Sequence, residues 1–255
     1  MKKTEIQINI SDFPKELHPY LAGVRIYDSS SNPKMKVYYL SNGYYLKCGE
    51  PGTLQREVLM ADWFYKQGLG VEIILYISKG QDYMLTRAAE GEDCLSFLDH
   101  PEKLCAILAG AMKMLHSRPL PNLPLSVSYE SCQAALASGK GDYDGSILMP
   151  RFMIASKEEA WAIMQENKHR LKCDTLIHGD FCLPNVMVKN GKFTCFIDFA
   201  MAGLGDKHVD LYWALWSLQH NLGTEKYTDY FLDLYGRENF EYEMIKVIAA
   251  FEAFG

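Results

Sequence analysis

The sequence predicts an α+β protein of two lobes, a strand-rich one over residues 1–90 and a larger, mainly helical one over residues 91–255. Strand and turn signals crowd into the first part, whereas helical periodicity takes over from Asp99 onward. A chain of 255 residues exceeds what one core commonly holds and falls short of two full domains. Hydrophobic residues make up 48% and charged residues 23%, the balance of a chain that buries a core and not of a disordered one.

The elements follow in order. Between Lys36 and Cys48, runs rich in Val and Tyr flank the turn dipeptide Asn42-Gly43, so the segment reads as a β-hairpin with Lys47 on its second strand. Thr53 is placed to cap a helix in which Leu54, Val58, Ala61, Phe64 and Tyr65 recur at helical spacing until Gly68. Val71–Ile77 and Asp82–Leu85 are further strand runs. After Gly91, Asp99 as N-cap and Pro101 in the first turn open a helix carrying Leu104, Leu108, Ala111 and Leu115. Prolines and glycines break every pattern over residues 117–156, where a long loop with short helical pieces is expected. Helices are expected again at Glu158–Arg170, Lys207–Gln219, Glu225–Tyr235 and Tyr242–Ala253.

Lys and Arg total 26 against 32 Asp and Glu, a net charge of −6; this argues against a nucleic-acid partner. An anionic ligand in a local pocket stays compatible, because a nucleotide site needs only one or two cations and a metal ion. The seven cysteines are scattered and contain no C-x-x-C pair, the pattern of reduced thiols in a cytoplasmic protein. No apolar run reaches ~18 residues, and polar residues follow Lys2-Lys3, so neither a membrane span nor a secretion signal is expected.

The chemistry concentrates between Thr175 and Asp198. A second hairpin turns at Asn190-Gly191. Extending its pairing outward places Asn185 and Asp198 diagonally at the open end, on one face by the period-2 rule and within roughly 7–8 Å. Both oxygens would then reach one hydrated cation, which suggests magnesium. His178-Gly179-Asp180 leads into the same mouth, where a carboxylate can orient a substrate hydroxyl and take its proton. Taken singly, Asp180 reads more readily as a turn cap and Asn185 as a partner of backbone groups; the three groups in register favour the site. Glu57 lies on the apolar face of its own helix, and an inward carboxylate needs a partner, for which Lys47 is the nearest candidate. Cys182 is four residues from His178, but no oxyanion feature supports a thiol nucleophile. His116 reads as a helix C-terminal cap, and Trp213 and Trp216 as core packing.

A strand Lys, a helix Glu, the run H-G-D-x-x-x-x-N and, thirteen residues after that Asn, a strand-terminal Asp resemble the protein-kinase constellation. Among such enzymes the chain is most similar to the aminoglycoside 3'-phosphotransferases. The resemblance rests on His178–Asn185, Phe196-Ile-Asp198, Gly205-Asp-Lys-His-Val-Asp210 and Phe231-Leu-Asp-Leu-Tyr-Gly236, and spans nearly the whole chain, with Asp82–Asp93 as the interlobe connection.

It implies a two-lobed protein-kinase-like fold and transfer of the γ-phosphoryl of ATP or GTP, with Mg2+, to a hydroxyl of a small, amine-bearing molecule. Lys47 would contact nucleotide phosphates and Glu57 would fix Lys47. Ser30 and Ser31 would lie in the loop over the phosphates, and Thr86, Arg87 and Ala89 would meet the adenine edge. Asp180 would be the catalytic carboxylate, Asn185 and Asp198 the magnesium ligands, and Asp210 the brace of the catalytic loop. Asp142, Asp144 and Glu252 would meet the substrate's amines. Met201, Ala253 and Gly255 stand where relatives carry other residues, so another small alcohol, such as a macrolide, a choline-like amine or a metabolite, remains an alternative acceptor. A catalytically silent nucleotide-binding module is the remaining alternative.

Overall fold

The computed structural model describes residues 4–31, 35–120, 122–124 and 143–254. The chain divides into two compact units, Met1–Gly91 with Thr194–Ala200, and Glu92–Phe193 with Met201–Gly255. The return of 194–200 to the first unit is a feature that no local pattern announces.

The first unit is built on an antiparallel sheet of six strands: β1 (Thr4–Ile6), β2 (Ile26–Asp28), β3 (Lys36–Leu40), β4 (Tyr44–Gly49), β6 (Gln81–Arg87) and β5 (Ile73–Lys79), in that spatial order. The β3–β4 hairpin pairs Leu40 with Tyr44 and Val37 with Lys47. Its loop is therefore the three residues Ser41–Gly43 rather than a bare dipeptide, with Gly43 supplying the positive φ of +88° that closes it. Leu40, Leu46 and Leu85 point to one face, where they form a core with Leu17, Leu21 and Ile26. Side chains alternate along a strand, so Lys47 is turned to the opposite face.

Helix α1 (His18–Leu21) belongs to that core, and α2 (Gln55–Lys66) follows β4. Thr53 does not cap α2. Its hydroxyl donates to the Glu50 carbonyl at 2.7 Å, and the N-cap residue is Leu54, whose amide donates to the Oδ2 of buried Asp82 at 3.0 Å. The cap thus comes from β6, which also places Asp82 inside the sheet and not at the start of a connection.

In the second unit, β7 (Glu92–Asp93) pairs with β9 (Val186–Lys189), and β8 (Thr175–Ile177) pairs with β11 (Gly203–Gly205). Asn190 and Gly191, at φ of +54° and +73°, turn the chain from β9 into β10 (Lys192–Phe196), as the Asn-Gly signal requires. The helices are α3 (Pro101–His116), α4 (Lys157–Asn167), α5 (His208–Leu222), α6 (Thr228–Tyr235) and α7 (Tyr242–Glu252). The N-cap of α3 is His100, one residue beyond the Asp99 expected, and α4 ends in a 3-10 turn at Lys168–Arg170. Of the expected loop, residues 121 and 125–142 lie outside the described ones; Gly145–Ile147 and Pro150–Phe152 form two short 3-10 pieces. Helices α4 and α7 share a core of Ala160, Met164, Met244, Val247, Ala250, Phe251 and Phe254. The cysteines of the described residues are free thiols, and no helix there is long and apolar enough to cross a membrane.

Candidate active site

Within the first unit, Lys47 Nζ donates to both oxygens of Glu57 at 2.8 Å and to Asp198 Oδ1 at 3.1 Å. Both Glu57 oxygens accept from one ammonium, so the carboxyl is ionised although burial pushes its pKa up. Burial opposes the Lys47 charge, but Asp198 and Glu57 outweigh it and hold the ammonium pKa above its ordinary value. The Lys47 side chain is 15% exposed and that of Glu57 only 5%, whereas that of Asp198 is 46% exposed. Removing Glu57 would take from a mostly buried ammonium two of its three carboxylate oxygens and leave it Asp198, so Glu57→Ala is expected to destabilise the protein by about 2–4 kcal/mol. Denaturant titration checks this, and a loss below 1 kcal/mol contradicts it.

Asp198 reaches this pair because residues 194–200 are anchored to the first unit. The Phe196 amide donates to the Leu69 carbonyl at 2.8 Å, the Phe199 ring packs tilted on Phe64 with centroids 4.4 Å apart, and Arg56 Nε donates to the Ala200 carbonyl at 2.9 Å. Asp198 itself has a left-handed φ of +65°. It has left the strand, and Asn185 ends a 3-10 turn, so the period-2 rule does not describe the placement of either. Arg56 and Phe199 were missed as anchors. The signal was the apolar neighbour directly after Asp198, which a reading halted at Phe196-Ile-Asp198 passes over.

Within the second unit, His178-Gly179-Asp180 follows β8. Asn185 Nδ2 donates to Asp180 Oδ2 at 2.8 Å and to the Asp180 carbonyl at 3.0 Å, fixing the carboxylate against its own loop. The Cys182 amide donates to the Asp180 carbonyl at 2.8 Å, and the Leu183 amide to Ser217 Oγ on α5 at 3.0 Å. Buried Asp210, also on α5, accepts the amides of His178 at 2.9 Å and Gly179 at 2.8 Å. Gly179 sits at φ +80°, and a Cβ there would lie 2.2 Å from the Met201 carbonyl oxygen. Only glycine fits that position. Burial, then Asp180, pushes the Cys182 thiol far above its ordinary pKa, which removes it as a nucleophile.

Ser30 Oγ accepts the Val37 amide at 3.0 Å and the Ser30 amide donates to Asp28 at 2.8 Å, so this serine ties the β2–β3 loop to its own strand; Ser31 is exposed beside it. Thr86 and Arg87 end β6, Ala89 lies just beyond it, and the Ala88 amide donates to the Gly43 carbonyl at 2.9 Å. The Arg87 side chain is engaged with Glu72 at 2.9 Å. Asp144 caps the turn at Gly145–Ile147 through Ser146, and its amide donates to the Ala253 carbonyl at 2.7 Å. Asp142 lies outside the described residues.

Glu252 closes α7. Burial pushes its carboxyl up to about 7; a hydrogen bond from Trp213 pulls it down, and Asp180 and Asp210 push it up further. Trp213 is half-buried and packs edge-on against Tyr212 and Trp216, with centroids 5.2 and 5.7 Å away, while Trp216 stacks flat on His220 at 4.7 Å. An unfolded Glu252 would titrate near 4.5, so the stability its buried neutral form contributes is complete below pH 4.5 and gone once the pH passes 7. Glu252→Gln is expected to raise the Tm of the ligand-free protein at pH 8 and to leave it little changed at pH 5. Thermal melts showing the same difference at both pH values contradict this.

For a divalent cation, the donor chemistry fits magnesium. Within the second unit the amide nitrogen of Asn185 is occupied by Asp180, which leaves its carbonyl oxygen available to a cation; within the first unit Asp198 offers a half-exposed carboxylate. Among the described residues no cluster of three or more His, Cys, Asp or Glu side chains forms a metal cage. Magnesium rarely uses one, being held by one or two carboxylates together with substrate phosphates and water.

The phosphotransferase enzyme family matches residues 24–246. A probable aminoglycoside 3'-phosphotransferase of Lactococcus lactis subsp. lactis (strain IL1403) is 37% identical over 257 residues, covering 98% of this chain and 98% of its own. An aminoglycoside-3'-phosphotransferase of type VIII superposes with a TM-score of 0.77 at 21% identity, over 96% of this chain and 99% of its own. The aminoglycoside phosphotransferase APH(3'')-Id from Streptomyces rimosus, in complex with ADP and streptomycin, gives 0.75 at 17% identity, over 97% and 99%. These two likenesses show the two-lobed protein-kinase-like α+β fold. With the family match spanning most of its length and a relative of this identity aligned nearly end to end, the chain belongs to the phosphotransferase enzyme family.

Proposed function

We propose that this protein transfers the γ-phosphoryl group of a nucleoside triphosphate to a hydroxyl of an aminoglycoside, with the 3'-hydroxyl as the acceptor position. The Lactococcus lactis relative supports the acceptor, and the ADP and streptomycin complex of the Streptomyces rimosus protein supports a nucleotide partner. The observation that carries the reading is the Asp180 carboxylate, oriented by Asn185 on a loop that Asp210 holds from beneath.

Positioning and electrostatics supply most of the catalysis in phosphoryl transfer. Asp180 aligns the acceptor oxygen and accepts its proton. Lys47, held by Glu57, neutralises nucleotide phosphate charge. Asn185 and Asp198 would each offer an oxygen to Mg2+, which would offset the negative charge of the phosphates. Arg87 and Ala89 present backbone groups to the base, a mode that admits ATP and GTP alike. Glu252, Asp144 and Asp142 meet the acceptor's ammonium groups; a cation there favours the Glu252 carboxylate, so acceptor binding near pH 7 should release a proton.

Asn185→Ala and Asp198→Ala are expected to weaken nucleotide binding at least tenfold with magnesium present and much less in EDTA. Fluorescent-nucleotide titrations with and without magnesium test this, and curves that overlay wild type for both variants remove the pair from the metal site. Incubation with ATP, magnesium and a panel of aminoglycosides tests the reaction itself. Phosphorylation of a macrolide, choline or another alcohol in place of every aminoglycoside would replace the acceptor and keep the chemistry. Nucleotide binding without transfer to any of them would favour a silent module.

A further inference from the structure

Helix α5 makes contacts on two sides. On one, Ser217 accepts the Leu183 amide of the loop that bears Asp180. Tyr212 lies five residues earlier, roughly 140° around the helix, and leaves toward another part of the chain. Its side chain has no exposed surface, its ring stands edge-on against Trp213 at 5.2 Å and 66°, and its hydroxyl donates to the Ile147 carbonyl at 2.8 Å.

Ile147 ends the 3-10 turn that Asp144 caps. Ser146 engages Asp144 Oδ1 twice, through its amide at 2.8 Å and its hydroxyl at 2.6 Å, which leaves Oδ2 of this exposed carboxylate for a cation. The start of the turn is tied to the chain just past α7: the Asp144 amide donates to the Ala253 carbonyl at 2.7 Å, and the Tyr143 ring packs on Phe254 at 5.2 Å. Its end is tied to α5 by Tyr212. Burial, then the charges of Glu252 and Asp144, push the Tyr212 phenol far above its ordinary pKa, so it keeps its proton and donates it to the carbonyl. The two acids that act on this phenol are those read above as meeting the acceptor, and Glu252 in turn feels Asp180. An acceptor left without its donor away from water is costly. Without the hydroxyl the turn would shift and carry Asp144 with it.

We propose that Tyr212 is a positioning residue that sets the affinity for polycationic acceptors: without touching the acceptor, its hydroxyl holds the Asp144 turn at a fixed distance from α5 and so from the loop that bears Asp180. The inference rests on the reading of Asp144 and Glu252 as the acceptor's carboxylates, but the hold on the turn is measurable without any reaction.

The test is Tyr212→Phe, which removes one oxygen and keeps the ring. In amide hydrogen exchange, the amides of Asp144 and Leu148, bonded to Ala253 and Gly145, are expected to exchange at least fivefold faster, with the amides of α2 in the other unit unchanged. A smaller change overturns the hold on the turn. In steady-state kinetics with ATP, magnesium and an aminoglycoside bearing several amines, the KM for the aminoglycoside should rise at least threefold, with kcat and the KM for ATP within twofold of wild type. A smaller rise, or a KM for ATP or a kcat that changes with it, overturns the role in acceptor affinity, because a general loss of stability would not single out one substrate. Should Tyr212→Phe fail to fold, wild-type protein with 13C-labelled tyrosine carries the test: the Tyr212 resonance should shift with the aminoglycoside and stay in place with ADP and magnesium, and any other pattern overturns the inference. If wild-type protein transfers no phosphoryl group to any aminoglycoside, the functional reading falls, and the exchange data still decide whether Tyr212 holds the turn.

Discussion

Asp180→Ala is expected to lower kcat by ~10²–10⁴ while leaving nucleotide affinity nearly unchanged. The variant removes the carboxylate that Asn185 Nδ2 holds at 2.8 Å and leaves the loop's backbone bonds to Asp210 in place. Lys47, Glu57 and Asp198 are untouched, so ATP should titrate as in wild type. Turnover within tenfold of wild type, measured at saturating ATP and acceptor, takes the base role away from Asp180. A parallel loss of nucleotide affinity would mean that the residue acts on the phosphates instead.

The second large effect is expected one residue earlier. Gly179→Ala forces a Cβ to within 2.2 Å of the Met201 carbonyl oxygen, at a φ of +80° that alanine disfavours. Backbone strain of this kind costs on the order of 1–3 kcal/mol, and a loop that shifts to relieve it carries the adjacent Asp180 with it. A displacement near 1 Å at a reacting group costs about 10² in rate. Gly179→Ala should therefore fold, melt at a lower temperature and turn over about 10²-fold more slowly. Unchanged kcat together with unchanged Tm would show that the loop tolerates a side chain there.

Much of the frame was legible because it obeys short-range rules. Asn190-Gly191 takes the two positive φ values that its hairpin needs, and the apolar spacing of Leu54 to Phe64 yields α2. The inward face of that helix also carried its own message: a carboxylate at Glu57 demanded a cation, and Lys47 provides it. What escaped the sequence depends on residues distant along the chain. The α2 cap arrives from Asp82, 28 positions away, so a threonine beside the helix start was a misleading local signal. Residues 194–200 join the first unit through Leu69, Phe64 and Arg56, and Asp198 consequently leaves the strand ladder from which its position had been extrapolated.

The acceptor side was harder for a different reason. Trp213, Asp144 and Glu252 sit at helical or loop positions where packing and capping explain them equally well one at a time. Only the folded chain shows the burial that pushes the Glu252 carboxyl up and the Asp144 amide on the Ala253 carbonyl. His116 shares this fate. At the end of an apolar helix it has the profile of a cap, and its partners Asp210 and Tyr235 lie 94 and 119 positions away.

The most direct measurement is transfer of radiolabelled γ-phosphate from ATP to an aminoglycoside that bears a 3'-hydroxyl, with magnesium present, followed by location of the phosphate on the product by NMR. The account predicts a single phosphorylated product carrying the group at the 3' position, formed by wild type, abolished by EDTA and nearly lost in Asp180→Ala. Product formation that persists undiminished in Asp180→Ala or in EDTA, or label released only to water with every acceptor tried, would contradict it.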